Sequence, residues 1–277
     1  MDRMNEQITA LYYDTKGAAA ALGIRVDRLD YLIDLGLLKP VHLQGYKSKR
    51  FFVRTIVDAL ARQQAALLLA SARANLEYRF ATVDDVAQEV DLSVLVFGNA
   101  ARNPFTVTAR RHFIEVNPFV THHLYDNGLL VASLNFVPVT PDAIEEFKEG
   151  KRGWLFSDEQ IDQFTNTHPL QCILIDFMTN PTIPTPQRRV YGMRLLSDFA
   201  GQMEQWGAQG IEISDIYSSG GSPEGRRLLQ SSGFEFLYKR GEQRNIYHLA
   251  VSSSPLRLLG GYRKALAEYR ARHGSVE

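Results

Sequence analysis

Three carboxylates stand in runs of strand-forming residues. Asp176 interrupts the apolar stretch Leu170 to Thr179, and Glu212 and Asp215 punctuate Gly210 to Tyr217. A strand carboxylate beside a cleft can take a proton from a reacting group, or it can be the structural partner of a buried arginine. Two adjacent arginines, Arg188 and Arg189, follow the proline-rich stretch Pro181 to Pro186 and open a helical pattern. Cations beside a helix start suit an anion, phosphate above all, although a plain basic helix start accounts for the same pair. Cys172 is the one cysteine, which rules out an internal disulfide, and its setting in Cys172-Ile-Leu-Ile marks a buried strand thiol. His122-His123 lacks a second ligand pair at zinc spacing, so no metal site is expected.

The elements that must position these residues read as strand, basic loop, helix, strand, helix, strand, an α/β arrangement with a helix start beside the end of a central strand. The helix spans Gln187 to Gly207, with Val190, Leu195, Leu196, Phe199, Met203 and Trp206 spaced for one face. Ser222 can accept a hydrogen bond from an orphan amide, Pro223 suits the first helical position, and Gly233 ends that short helix before the alternating run Phe234, Phe236, Tyr238. Val120 to Tyr125 and Leu129 to Val139 flank the turn Asp126-Asn127-Gly128 and read as a hairpin. Strict alternation places Asp176 with Met178 on one face, and Asp215 with Ile211 and Ile213, leaving Glu212 with Ser214 and Ile216.

The chain has 277 residues with 31 basic and 31 acidic side chains, which suggests about two domains and excludes a strong overall charge as the basis of partner choice. No apolar segment approaches the ~20 residues of a membrane span and no basic start precedes an apolar run, so a cytoplasmic protein without a membrane partner is expected.

Near the amino terminus, Asp14-Thr15 caps a short alanine-rich helix stopped by Gly23. A second helix, Val26 to Leu35, ends at Gly36, and Val41 to Phe52 forms a basic, glycine-containing hairpin. Helix, turn, helix, hairpin, helix resembles the winged helix-turn-helix of the MerR and excisionase type over about Tyr12 to Leu60. That resemblance implies duplex DNA as a partner, with Arg25, Arg28 and Tyr31 on or beside the recognition helix and Lys47, Lys49 and Arg50 on the wing. Asp27, Asp30 and Asp34 on the same helix would repel DNA if they shared its face, and a small interaction module is the alternative. From Val53 to about Leu76 there is no Gly or Pro, which predicts a helix. It either packs on its own carboxy-terminal domain or, as proteins of the MerR type do, pairs two subunits into a homodimer.

The remaining strand and helix order resembles the GNAT acyltransferase superfamily over about Tyr78 to Val251. On that resemblance the fold is α/β, a GNAT-like mixed sheet flanked by helices, behind a small amino-terminal winged helix-turn-helix domain. The expected divisions are 1–62 for that domain, 63–76 for the connecting helix, 77–254 for the acyltransferase domain and 255–277 for a terminal amphipathic helix. Arg189-Val-Tyr-Gly192-Met-Arg194 falls on the family's Gln/Arg-x-x-Gly-x-Gly/Ala loop, so the resemblance implies that amides there, with Arg188, Arg189, Gly192 and Arg194, hold the pyrophosphate of acetyl-CoA or another acyl-CoA. Ser222, Gly225, Leu229, Gly233 and Phe234 fall on the family's Asn-x-x-Ala-x-x-x-Tyr-x-x-x-Gly-Phe helix. Arg194 replaces a small residue, Ser222 an asparagine, and Leu229 the tyrosine that in many relatives protonates the departing thiolate. Acyl transfer to an amine also needs a base and an oxyanion stabiliser. Asp176, Glu212 and Asp215 are the candidate bases, and a strand amide at Met178 or Thr179 the candidate stabiliser. The implied function is an acyl-CoA-dependent N-acyltransferase, in the first place an N-acetyltransferase, that carries a DNA-binding domain and regulates transcription. The alternative is a non-catalytic DNA-binding regulator whose second domain senses acyl-CoA or serves only in assembly.

Overall fold

The computed structural model describes residues 8, 10–34, 36–43, 45–46, 49–71, 75–149, 154, 156–240 and 244–274. It divides at Ala74–Asn75 into two units. In the first, strand β1 (Tyr12–Asp14) leads into helix α1 (Thr15–Ala21), where the Gly17 amide donates to Asp14 Oδ1 at 2.7 Å and so satisfies one orphan donor. Gly23, with φ of +65°, turns the chain into α2 (Val26–Asp34). Val41 then bridges to Phe51, and β2 (Phe51–Val53) pairs antiparallel with β1 before α3 (Arg54–Ser71) begins. Ala18, Leu22, Leu29, Leu32, Phe52 and Val57 bury together as this unit's core. The helix expected to run to Leu76 stops earlier, and Leu76 instead opens the sheet of the second unit.

That second unit is built on seven strands: β3 (Leu76–Phe80), β4 (Thr121–Asp126), β5 (Leu129–Val139), β6 (Leu170–Thr179), β7 (Ile213–Gly220), β8 (Glu235–Arg240) and β9 (Arg244–Ala250). Their order across the sheet is β3-β4-β5-β6-β7-β9-β8, and β6 with β7 is the one parallel pair among the described strands. A parallel pair needs a crossover, supplied here by α7 (Thr185–Ala208). Between β3 and β4 lie α4 (Val86–Phe97) and α5 (Pro104–Val116), and α6 (Pro141–Glu149) follows β5. Helices α8 (Pro223–Ser231) and α9 (Gly260–His273) come late in the chain. One face of the sheet packs Leu134, Phe136, Leu170 and Cys172 against Leu195, Met203 and Trp206 of α7, Leu229 of α8 and Tyr262 of α9. The other packs Val137, Ile173 and Tyr217 against Phe113 of α5 and Ile144 of α6.

Two bulges decide which side chains share a face. Asn135 pairs with Asp176 and Phe136 with Leu174, so Ile175 is the extra residue on β6. Leu170 pairs with Ile213 and Gln171 with Asp215, which makes Ser214 extra on β7. The first bulge carries Asp176 away from the face of Cys172 and Leu174, to the side of α4 and α5. The second breaks the expected alternation: Ile216 shares the α7 face with Ile213, while Asp215 is thrown to the face of Tyr217.

Candidate functional site

Parallel pairing of β6 and β7 runs from Leu170–Ile213 to Leu174–Ser218 and then ends. Beyond it, β6 continues to Thr179 against β5 alone and β7 continues to Gly220 against β9 alone. The two strands therefore part into a wedge whose inner edges carry no ladder partners among the described residues. Helix α7 begins six residues after Thr179, and α8 begins shortly after Gly220, so two positive helix ends stand at the open end of the wedge.

An inventory of amides there is short. Asn180 N donates to Val131 O, Thr182 N to Asn180 Oδ1, Ile183 N to Asn180 O and Arg188 N to Pro184 O. Pro181, Pro184 and Pro186 have no N–H, which leaves Thr185 and Gln187 as the donors at the start of α7. Arg188 is half-buried and Arg189 exposed, and neither side chain pairs with another among the described residues. These two amides and two guanidinium groups fit a diphosphate.

Gly192 and Arg194 are corrected by the fold. The helix starts at Thr185-Pro186, because proline is favoured in a first turn, so both residues fall inside α7, where their amides belong to the helical ladder. A Cβ at Gly192 would meet Phe177 Cζ at 3.2 Å and Thr179 Cγ2 at 3.3 Å, so this glycine serves the close approach of helix and strand. Arg194 Nε pairs with Asp198 at 2.7 Å on the outer face. Tyr191 donates to the Asp126 carboxylate and accepts from Gln187 Nε2 at 2.6 Å, and burial followed by that carboxylate pushes its phenol up to about 12. Met178 is buried, its Sδ facing Ser93 Oγ at 3.4 Å, and Thr179 pairs with Ala132 at the end of β6.

The three candidate bases do not meet. Asp176 accepts from Arg110 Nη2 and from Asn135 Nδ2, each at 2.8 Å. Arg110 also pairs with Glu89, which accepts from Asn135 at 2.6 Å as well, and Thr121 Oγ1 donates to Asn135 Oδ1 at 2.6 Å. One guanidinium thus serves two buried carboxylates. Burial, with the neighbouring Asp176, holds the Glu89 carboxyl above its ordinary range despite Arg110. Glu89 Oε2, Arg110 Nε, His123 Nε2 and Ser133 Oγ are buried without a hydrogen-bond partner among the described residues. Asp215 instead bonds His248 Nε2 at 2.7 Å, beside the closed part of the wedge. Glu212 precedes β7 and pairs with Arg270 at the opposite end of the sheet, and its carbonyl accepts from Leu170 N. Arg110, Glu89 and Asn135 were not singled out from the sequence, since only the fold brings α4, α5 and β5 to Asp176.

The remaining chemistry-bearing residues are structural. Cys172 is buried and its thiol is pushed well above its ordinary value by burial. His122 and His123 lie on opposite faces of β4: the first accepts or donates at 2.7 Å with Tyr78 Oη, the second at 3.1 Å with Tyr125 Oη. Burial pulls both imidazoles down to about 3. No metal-binding cluster occurs among the described residues.

In the first unit, Arg28 is exposed on α2 and Arg25 is exposed in the turn before it, while Tyr31 packs against the core. Arg50 is tied to Asp30 at 2.6 Å, Lys49 stands 5.9 Å from the Tyr46 ring, and Lys47 lies outside the described residues.

No family model and no curated protein matches this sequence. Among solved structures the chain is similar to a GNAT-family acetyltransferase from Bacillus cereus, at 16% identity over 63% of this chain and 96% of that one, with a TM-score of 0.38. It is also similar to the PaiA N-acetyltransferase of Thermoplasma acidophilum in complex with coenzyme A, at 11% identity over 64% and 99%, TM-score 0.43. An acetyltransferase from Thermus thermophilus matches at 15% identity over 63% and 96%, TM-score 0.41.

Proposed function

We propose that the larger unit binds acyl-CoA in the wedge between β6 and β7 and transfers the acyl group to an amine. The observation that carries this reading is the parting of one parallel strand pair beside a helix whose first turns carry two arginines without a side-chain partner among the described residues. Thr185 and Gln187 would donate amides to the diphosphate, Arg188 and Arg189 would neutralise it, and the exposed strand edges would take the amide groups of the arm. Acyl-CoA, when bound, supplies a thioester carbonyl for amine attack. The products are an amide and the free thiol, so the proton lost by the amine balances the one gained by sulfur. Leu229 can deliver none, and Asp176 has both oxygens engaged, by Arg110 and Asn135, so it would meet the amine only if that pairing opened. Calorimetry with acetyl-CoA tests the binding step. Binding that is lost in the Arg188→Ala, Arg189→Ala double variant supports the reading, and silence at millimolar ligand removes it.

A second reading, a sensor that binds acyl-CoA without transfer, is favoured by Leu229 and by the Arg110–Asp176 pair. Tight binding with no acylation across a broad amine panel would select it.

The smaller unit we propose to bind duplex DNA through α2 and the segment before β2, with pairing of two copies through α3. Arg28 and Lys49 would contact phosphates, and Arg50 is paired with Asp30. The Arg28→Ala, Lys49→Ala double variant should lower the slope of log K against log salt by about 2. An unchanged slope would sink this assignment.

A further inference from the structure

A cavity of about 100 Å³ lies on the α7 and α8 face of the sheet. It is lined by Leu174 and Phe177 of β6, Phe199 and Ala200 of α7, and Leu228 and Leu229 of α8, among other apolar residues, and Ser232 contributes the one polar side chain of its wall. It is an apolar cleft that opens to the surface at Leu228, not an enclosed void. A wall that carries no charge and has Ser232 as its one polar side chain does not suit a phosphate, a metal or an amine as occupant. The volume is roughly two-thirds of the ~150 Å³ apolar cavity that stays dry and takes a benzene ring, which corresponds to about four carbon atoms.

Position distinguishes this cavity from a packing defect. Leu174 is the last residue of β6 paired with β7, and Phe177 stands just past it, on the lip of the wedge. Phe177, Leu174 and Phe199 are half-buried and Leu228 is 42% exposed, so the cavity reaches the surface. Leu229, which stands where the resemblance expects a phenol, extends the apolar wall instead.

We infer that this cavity is a binding pocket for a short aliphatic chain of about four carbons, counting the carbonyl carbon that heads it. Resting on the acyl-CoA reading above, the inference makes that chain the acyl group, so that butyryl-CoA rather than acetyl-CoA is the preferred ligand. Calorimetry on the full chain with CoA, acetyl-CoA and butyryl-CoA tests it. Burial of two further methylenes should make butyryl-CoA bind about fifteenfold more tightly than acetyl-CoA. In Ala200→Leu, whose added carbons fill the cavity, that preference should vanish while CoA itself binds as before. Leu229→Phe is the second filling variant should the first not fold. Equal affinities of the two thioesters for the wild-type chain would overturn the pocket and leave CoA binding standing. Should no CoA species bind, the cofactor reading falls, and benzene becomes the probe: a rise in Tm of the wild type that Ala200→Leu abolishes keeps the alkyl site, and no rise overturns it.

Discussion

Lowering the pH from 7 to 5 should weaken the larger unit steeply, because His122 and His123 are fully buried and held neutral. Burial lowers each imidazole to about 3, against about 6.5 in an unfolded chain. A folded-state pKa below the unfolded one gives stability that is whole above pH 6.5 and is lost as the unfolded chain takes up protons the fold refuses. Each histidine then contributes a loss of about 2 kcal/mol between pH 7 and pH 5, or about 4 kcal/mol for the pair, a large part of an ordinary domain's stability. Glu89 works in the opposite sense: its carboxyl is raised in the fold, so its protonation restores some stability as the pH falls. Asp85 is held below the usual carboxylate range by Arg79 and adds a loss only below about pH 4. Urea unfolding followed by tryptophan fluorescence is the assay, since the chain's two tryptophans, Trp154 and Trp206, both lie in the larger unit. His122→Asn, which keeps an acceptor for Tyr78 while removing one titration, should halve the pH-dependent loss. A wild-type loss below about 1 kcal/mol, or a variant with the wild-type slope, would refute the reasoning.

Arg110→Met leaves Glu89 and Asp176 buried without their cation and should cost about 3–5 kcal/mol in the same assay; a neutral result would mean that the carboxylates are solvated. Asp176→Asn preserves shape and should cost less, so a full loss of acyl transfer in a folded Asp176→Asn chain would make this residue the base after all. Gly207→Ala should destabilise by about 2 kcal/mol despite the better helix propensity of alanine, because its Cβ would meet the Tyr262 carbonyl oxygen at 2.6 Å where α7 crosses α9. A raised Tm would show that the two helices can move apart.

Local signals were readable in the sequence and non-local ones were not. Ser222 caps α8 by accepting from Gly225 N at 3.0 Å, and the Asn127-Gly128 turn, with φ of 50° and 81°, joins β4 to β5 as the Asp-Asn-Gly signature indicates. These features depend on a few neighbouring residues. The bulges at Ile175 and Ser214 depend on which strand lies alongside, and each reverses the face of every residue that follows, so alternation alone misplaced Asp215. Helix α7 starts at Thr185-Pro186, so Gly192 and Arg194, read from the resemblance as part of a loop, lie about two turns inside it. The Glu89–Arg110–Asp176 group has no sequence signature, because its members come from two helices and a strand 21 and 66 residues apart.

A crystal structure of the full chain grown with CoA tests the account most directly. The diphosphate should lie against the amides of Thr185 and Gln187 with Arg188 or Arg189 beside it, and the arm should run between β6 and β7 beyond Leu174 and Ser218. CoA bound elsewhere, or an empty wedge in crystals grown at millimolar CoA, would contradict the assignment.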